Sequence, residues 1–460
     1  MQRFLAMLLL LTGMASAQES LLGADFRHER ERFTKNCSSF KSLAGCAQVL
    51  FTDHPLHIAV GSIAPQNGFA AGVAFVAHKT PNESWRLSWN SDAVASFNGS
   101  WRAGVYMKIV RTPKKVITVG HPTGPGSLDS NLAVSEYKVF NVYAQGISLN
   151  KLYYFGLGPT SSESARSVYG MTESIVGGNT VIPVFQKLKM SLVGELNGRF
   201  ISIRGNHGES SPSIEQAFDN VTAPGLANQP GYIQFGEGIR IRPSFLSDHV
   251  RLNYLVNFQQ FLAPSDSSSS FGRFTGDFAH EFPLYRTTRP STPKEFNGPN
   301  ECSMSVGAAC PPISASRNRE GTINLRVLLS KSMIATGHTV PFYLQPTLGG
   351  SDINGAPALS SYSDYRFRAP SILLFRESLE HSIYGPLGFT LSADQGTLGL
   401  GDSAPSLDHF RHSYSTGLTV RAGGFPQIFL VFAWGGGEGT HTTANINTSL
   451  LGGSRRPSLF

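Results

Sequence analysis

The chain has 460 residues, with 38 Lys and Arg against 31 Asp and Glu, so its formal charge is +7. Only 15% of residues are charged, where an average soluble protein has roughly 25%, and Gly (48), Phe (31) and Tyr (14) are plentiful. This apolar, aromatic content excludes a disordered chain, and a mean hydropathy of −0.10 excludes a bundle of membrane helices. No Lys/Arg-rich cluster points to a nucleic-acid partner.

Arg3, the apolar run Phe4–Met14 and the small residues Ala15-Ser16-Ala17 have the form of a signal peptide over residues 1–17. The apolar run is shorter than the roughly 20 residues of a membrane-spanning helix. Residues 18–57 then form a short segment ahead of the main domain. The four cysteines fall into two local pairs, Cys37 with Cys46 and Cys302 with Cys310. Export permits disulfides, and of the three possible connectivities the local one is expected. Neither pair has the two-residue spacing usual at zinc sites.

Along the rest of the chain, period-2 alternation dominates. Trp101, Ala103, Val105, Met107 and Ile109 alternate with Arg102, Gly104, Tyr106 and Lys108. Met190, Leu192, Leu196 and Phe200 alternate with Ser191, Glu195, Asn197 and Arg199, with Val193 as the exception. Leu252, Tyr254, Val256 and Phe258 alternate with Arg251, Asn253, Asn257 and Gln259. Phe274, Phe278, Phe282 and Leu284 alternate with Arg273, Thr275, Asp277 and Glu281. Ile323, Leu325, Val327 and Leu329 alternate with Asn324, Arg326 and Ser330.

Two architectures produce such strands. A soluble sandwich turns the apolar face inward, whereas a transmembrane barrel turns it to lipid and lines its lumen with the polar face. Strands of about 9–11 residues suit a membrane. Brief connections (Thr80–Glu83, Phe97–Ser100) and long ones (Thr112–Leu132, Asn206–Pro230, Arg286–Glu320) suggest short turns on one side and loops on the other. At about 25 residues per strand and connection, residues 58–460 make an all-β antiparallel barrel of roughly 16 strands. A secreted β-sandwich protein is the alternative.

The stretch Pro341-Phe342-Tyr343-Leu344-Gln345-Pro346-Thr347-Leu348-Gly349-Gly350-Ser351-Asp352 is followed by Tyr365-Arg366-Phe367-Arg368-Ala369-Pro370 and Gly385-Pro386-Leu387-Gly388. It resembles the C-terminal part of bacterial surface antigen (D15) barrels of the Omp85 superfamily, around their sixth extracellular loop. Residues Lys151–Ser162 resemble a further recurring piece of those barrels. The resemblance implies a 16-stranded outer-membrane barrel, with residues 18–57 in the periplasm and the loop at 349–368 entering the lumen through Gly349, Gly350, Asn354, Gly355, Arg366 and Arg368. It also implies contact with outer-membrane lipid and lipopolysaccharide, with the outer-membrane assembly machinery during biogenesis, and with a possible periplasmic partner.

There are two departures from the family. The roughly 40 residues between Ala17 and His57 leave no room for its periplasmic POTRA modules. Its sixth-loop Arg-Gly-Phe is replaced by Asn354-Gly355-Ala356, so a contact from that arginine to the wall is lost; Arg366 or Arg368 is a candidate substitute. Phe460 matches the terminal aromatic of outer-membrane proteins, although Pro457 argues for a last strand nearer His441–Leu451.

No enzymatic constellation or cofactor motif emerges. A Gly-x-Ser-x-Gly elbow is absent. His54 with His57, and His409 with His412, read as ordinary loop residues rather than metal pairs. Gly68, Gly72, Gly156 and Gly158 lack the strand–turn–helix setting of a phosphate cradle. The charges expected to line the lumen are Arg102, Lys108, Glu195, Arg199, Arg240, Arg242, Arg251, Arg273, Asp277, Glu281 and Arg326. Eight basic against three acidic residues suggests a mild anion preference. The expected function is a transport or assembly barrel, or alternatively a structural or surface-interaction barrel acting through its loops.

Overall fold

The computed structural model describes residues 56–111, 137–290 and 316–446, apart from 83, 247–248, 385–386, 402, 408 and 423–424, together with residue 31. The expected signal peptide at 1–17, the 18–57 segment except for residues 31, 56 and 57, all four cysteines, His54 and Phe460 lie outside the described residues. Among the described residues the wall has sixteen strands of six residues or more, with a seventeenth, two-residue strand, Ser244–Phe245, paired to Val250 and Arg251. The sixteen are β1 (Leu56–Ser62), β2 (Phe69–Asn82), β3 (Trp85–Ser96), β4 (Trp101–Arg111), β5 (Lys138–Tyr154), β6 (Ser167–Phe185), β7 (Met190–Gly205) and β8 (Tyr232–Ile241). They continue as β9 (Val250–Leu262), β10 (Phe271–Pro290), β11 (Ser316–Met333), β12 (Ser371–Tyr384), β13 (Leu387–Gly399), β14 (Arg411–Ala422), β15 (Phe425–Trp434) and β16 (His441–Ile446).

Each strand pairs antiparallel with the next, in one uninterrupted meander. The register is continuous over long runs: β10 and β11 pair from Gly272↔Met333 to Pro290↔Ser316, with one shift between Pro283 and Tyr285. The sheet curls until β1 and β16 bring Cα atoms within 8 Å of each other, without a ladder between them among the described residues.

The two faces of the wall are inverted relative to a soluble protein. On β7, Ser191, Glu195, Asn197 and Arg199 are buried, while Leu192, Leu196 and Phe200 are exposed by 45%, 53% and 62%. The same outward row continues through Val176, Phe235, Ile239, Phe375, Leu418, Leu430 and Phe432. A sandwich would bury that row in its core, so the soluble alternative fails; an apolar exterior around a polar interior belongs in lipid. Glu237, between Phe235 and Ile239, and Glu377, between Phe375 and Leu379, are exceptions that put carboxylates on the outer face.

Antiparallel succession assigns each connection to one of two ends. Residues 63–68, 97–100, 155–166, 206–231, 263–270, 334–370, 400–410 and 435–440 lie at the end termed here the loop end. Residues 83–84, 112–137, 186–189, 242–249, 291–315, 385–386 and 423–424 connect strands at the opposite end. The expected division into a short-turn side and a long-loop side holds only in part: most connections at the opposite end are brief, but the brief 97–100 turn shares its end with 206–231, and 112–137 and 291–315 share theirs with the brief 83–84 turn.

Candidate functional site: the lumen and its loop

The connection 334–370 folds back into the lumen, because its own residues are too apolar for the outside. Phe342, Leu348, Leu359, Tyr365, Phe367 and Ala369 are all buried by 98% or more. Two clusters hold it. Leu348, Leu359, Tyr362 and Phe367 pack on Ile372, Leu374 and Leu398 of β12 and β13. Phe342, Tyr343, Leu344 and Tyr365 join Leu152, Tyr154, Tyr169 and Phe261 on the other side. Phe342 lies edge-on to Tyr169 at 5.3 Å between ring centroids.

Little of the loop is regular. It contains a 3-10 turn at Phe342–Leu344 and a two-residue antiparallel pairing of Thr347–Leu348 with Phe367–Arg368. Gly349 and Gly350 take positive φ (+104° and +60°), with room for no Cβ: one on Gly349 would lie 2.5 Å from Arg366 Cβ, and one on Gly350 2.6 Å from Asp364 N. Leu359 and Tyr365, fully buried, also have positive φ (53° and 62°), a conformation that the surrounding packing must enforce.

Polar contacts tie the loop to the wall. Arg366 pairs with Glu438 at 2.8 Å, donates to Ser161 Oγ and O, and lies over the Phe155 ring. Arg368 donates to Phe342 O and, at 3.3 Å, to Tyr169 Oη, while Gly158 N donates to Arg368 O. The two stretches that carry the family resemblance, 151–162 and 341–370, thus meet in the lumen. Asn354 and Gly355, in place of the family's Arg-Gly, sit in a turn closed by Asp352, whose carboxylate accepts from the Asn354 and Ala356 N–H groups.

Three tethers escaped the sequence reading. Asp394 on β13 binds Arg376 through two hydrogen bonds (2.7 and 2.6 Å) and also accepts from Leu359 N. Asp364 accepts from Gln66 Nε2 at 2.7 Å and Ser351 N at 2.8 Å. Its carboxyl is held above the usual aspartate range by burial, with both hydrogen bonds opposing the rise. Glu438 stands in a run flanked by Gly437 and Gly439. The signals were weak: Asp394 continues the inward row of its strand, and Glu438 interrupts a glycine run.

The wall charges mostly occur in pairs. Arg102 binds Asp92, Arg199 binds Glu173 (2.8 Å), Arg251 binds Glu281 (2.6 Å) and Arg326 binds Asp277 through two hydrogen bonds (2.8 and 2.9 Å). Glu195 accepts from Asn197 and Gln234. Lys108 shares the Arg102 face but is exposed, and Arg240 lies on the inward row of β8 with Arg242 just beyond it. Arg273 donates to Leu344 O at 2.6 Å and lies over the Phe261 and Phe271 rings. Among the described residues no three His, Cys, Asp or Glu side chains are grouped to hold a metal.

The fold and its interior define a transmembrane-type β-barrel whose lumen holds its own loop. No family model and no curated protein matches the chain. Among solved structures it is similar to CdiB from Acinetobacter baumannii, at 10% identity over 85% of this chain and 58% of that one, with a TM-score of 0.46. It is also similar to BamA from Haemophilus ducreyi lacking POTRA domains 1–3 (12% identity, 86% and 70% covered, TM-score 0.48) and to CdiB from Escherichia coli (10%, 86% and 62%, TM-score 0.47). Both CdiB and BamA are Omp85-superfamily barrels. The chain spans less than two thirds of the length of either CdiB, and at these identities the likeness is one of fold alone.

Proposed function

We propose that this protein is an outer-membrane barrel for transport or membrane assembly, with the loop at 349–368 as the gate of its lumen. One observation carries the reading: the loop, whose two-residue pairing is internal to it, is seated by side-chain contacts and isolated hydrogen bonds and not by the continuous ladder that builds the wall. It can therefore leave without unzipping a strand. The apolar exterior is suited to lipid and lipopolysaccharide, and biogenesis is assigned to the outer-membrane assembly machinery. No catalytic or cofactor role is proposed.

Planar-bilayer recording tests this. The full chain is expected to be closed or weakly conducting, and a variant lacking residues 349–368 to conduct strongly while keeping heat-modifiable migration. A folded deletion variant that conducts no more than the parent overturns the gate. It would favour the reading as a surface-interaction barrel, which has its own support in the exposure of Phe97 (99%), Val221 (82%) and Leu407 (69%) at the loop end.

A further inference from the structure

Beneath the loop, a cavity of about 390 Å³ lies between the 342–358 segment and the inner faces of β5 to β12. Four guanidinium groups line it, those of Arg199, Arg273, Arg326 and Arg368, together with the carboxylates of Asp277 and Asp352. Asp277 is taken up by Arg326, and Asp352 binds two N–H groups of its own turn. Arg199 has Glu173 on Nη1. Arg273 and Arg368 have no carboxylate within ion-pair distance among the described residues; their partners are Leu344 O and Ser332 Oγ for the first, Phe342 O and Tyr169 Oη for the second.

The two carbonyl partners belong to one small region, since Phe342 and Leu344 are two ends of the same turn. Carbonyl and hydroxyl dipoles orient a guanidinium but do not neutralise it, and a buried charge without a counter-charge is costly. Two donors also remain unused: Nε of Arg199 and Nε of Arg368 are inaccessible to solvent and have no hydrogen-bond partner, although both residues are at least 95% buried. Arg199 is also close enough to Arg273 for the two to repel. Water in the cavity would hydrate the guanidinium atoms that face it and leave the excess charge in place.

We propose that this cavity binds a phosphate-type oxyanion, held by Arg273 and Arg199 from the wall and by Arg368 from the loop. Four arginines against Asp277, Asp352 and the Glu173 bound to Arg199 leave one positive charge, which a phosphate monoanion matches, and its oxygens suit the planar donor forks of arginine. Because the arginines come from both sides of the cavity, the bound anion bridges loop and wall and holds the loop seated. The inference goes beyond the gate reading, since binding is measured without reference to conductance.

The test is equilibrium dialysis of the full-chain barrel in a maltoside detergent, which carries no phosphate, against radiolabelled inorganic phosphate with chloride holding ionic strength constant. Saturable binding of one phosphate per barrel is expected, displaced by sulfate. Arg273→Gln and Arg368→Gln are expected to weaken it at least tenfold, and Arg251→Gln to leave it unchanged. Heat-modifiable migration checks that each variant folds; should Arg368→Gln fail, Arg273→Gln on the wall decides alone. Absence of saturable binding, equal binding by all variants, displacement by carboxylates with no affinity for phosphate, or phosphorus found only in a lipid extract of the barrel would each overturn the proposal.

Discussion

The two ends of the lumen handle charge in opposite ways. Near the loop end the ion pair Arg102–Asp92 has side chains 0% exposed on both partners, and Arg199–Glu173 only 4% and 2%. Toward the opposite end Arg251–Glu281 is 26% and 38% exposed. Both are cross-strand pairs on the inner face of the same wall. The difference is burial: Arg199 lines the cavity beneath the loop, and Arg102 and Asp92 are closed off from water. One barrel thus contains a region with the energetics of a protein core and another with those of a hydrated surface. Strand alternation is the same in both.

The sharpest test of that contrast is to break a pair in the covered region. Arg102→Met leaves Asp92 buried and uncompensated, and is expected to destabilise the folded barrel by about 3–5 kcal/mol. Denaturant unfolding in detergent measures this. Arg102→Met combined with Asp92→Asn should recover most of the loss, because the cost is the stranded charge. If the single variant loses nothing, the loop end is wetter than its burial implies.

Gly349→Ala acts on the loop instead of the wall. Its φ of +104° and the 2.5 Å approach to Arg366 Cβ mean that an added methyl strains the backbone and displaces Arg366 from Glu438. A cost of about 1–3 kcal/mol is expected from the conformation alone. It should appear as faster proteolysis within 349–368 and higher conductance, with little change in the unfolding of the wall. Equal loss in both would mean that loop and wall form one cooperative unit.

Asp364 makes the seating of the loop pH-dependent. Its carboxyl titrates above the unfolded value because burial disfavours the anion. The folded loop therefore favours the protonated form. That contribution is complete below the ordinary aspartate value of about 4 and is lost as pH rises through the higher folded value. Protection of the loop from protease is expected to fall across that window. Asp364→Asn, which keeps an acceptor for the Ser351 N–H, should flatten the profile. An unchanged profile would move the titration to another group.

The wall was far more legible in the sequence than the loop. Alternation such as Leu192/Leu196/Phe200 against Glu195/Asn197/Arg199 needs only the two-residue period of a strand, so strand number and facing follow from local pattern. The loop has no period. Its seating rests on contacts between distant residues, such as Gln66 with Asp364 and Ser161 with Arg366, which no local rule anticipates. Arg366 and Arg368 were visible as candidates because they stand in a stretch resembling a known family, whereas Asp394, Asp364 and Glu438 had no comparable signal. The exceptions to the short and long sides have a similar cause: the length of a connection does not say which end of the wall it joins.

The smallest effect lies at the uncovered end, and it is the control for the rest. Arg251 and Glu281 bond at 2.6 Å, a distance as short as those found in the covered region. If geometry alone set the strength of a pair, Arg251→Gln would cost as much as Arg102→Met. Water decides otherwise. With both side chains partly exposed, each charge keeps much of its hydration, and a pair of this kind contributes about 0–1 kcal/mol. A double-mutant cycle of Arg251→Gln with Glu281→Gln should give a coupling in that range, shrinking further as salt is raised. A coupling that approaches the Arg102–Asp92 value, or one indifferent to salt, would mean that this end of the lumen is also dry, so that burial is not what separates the two regions.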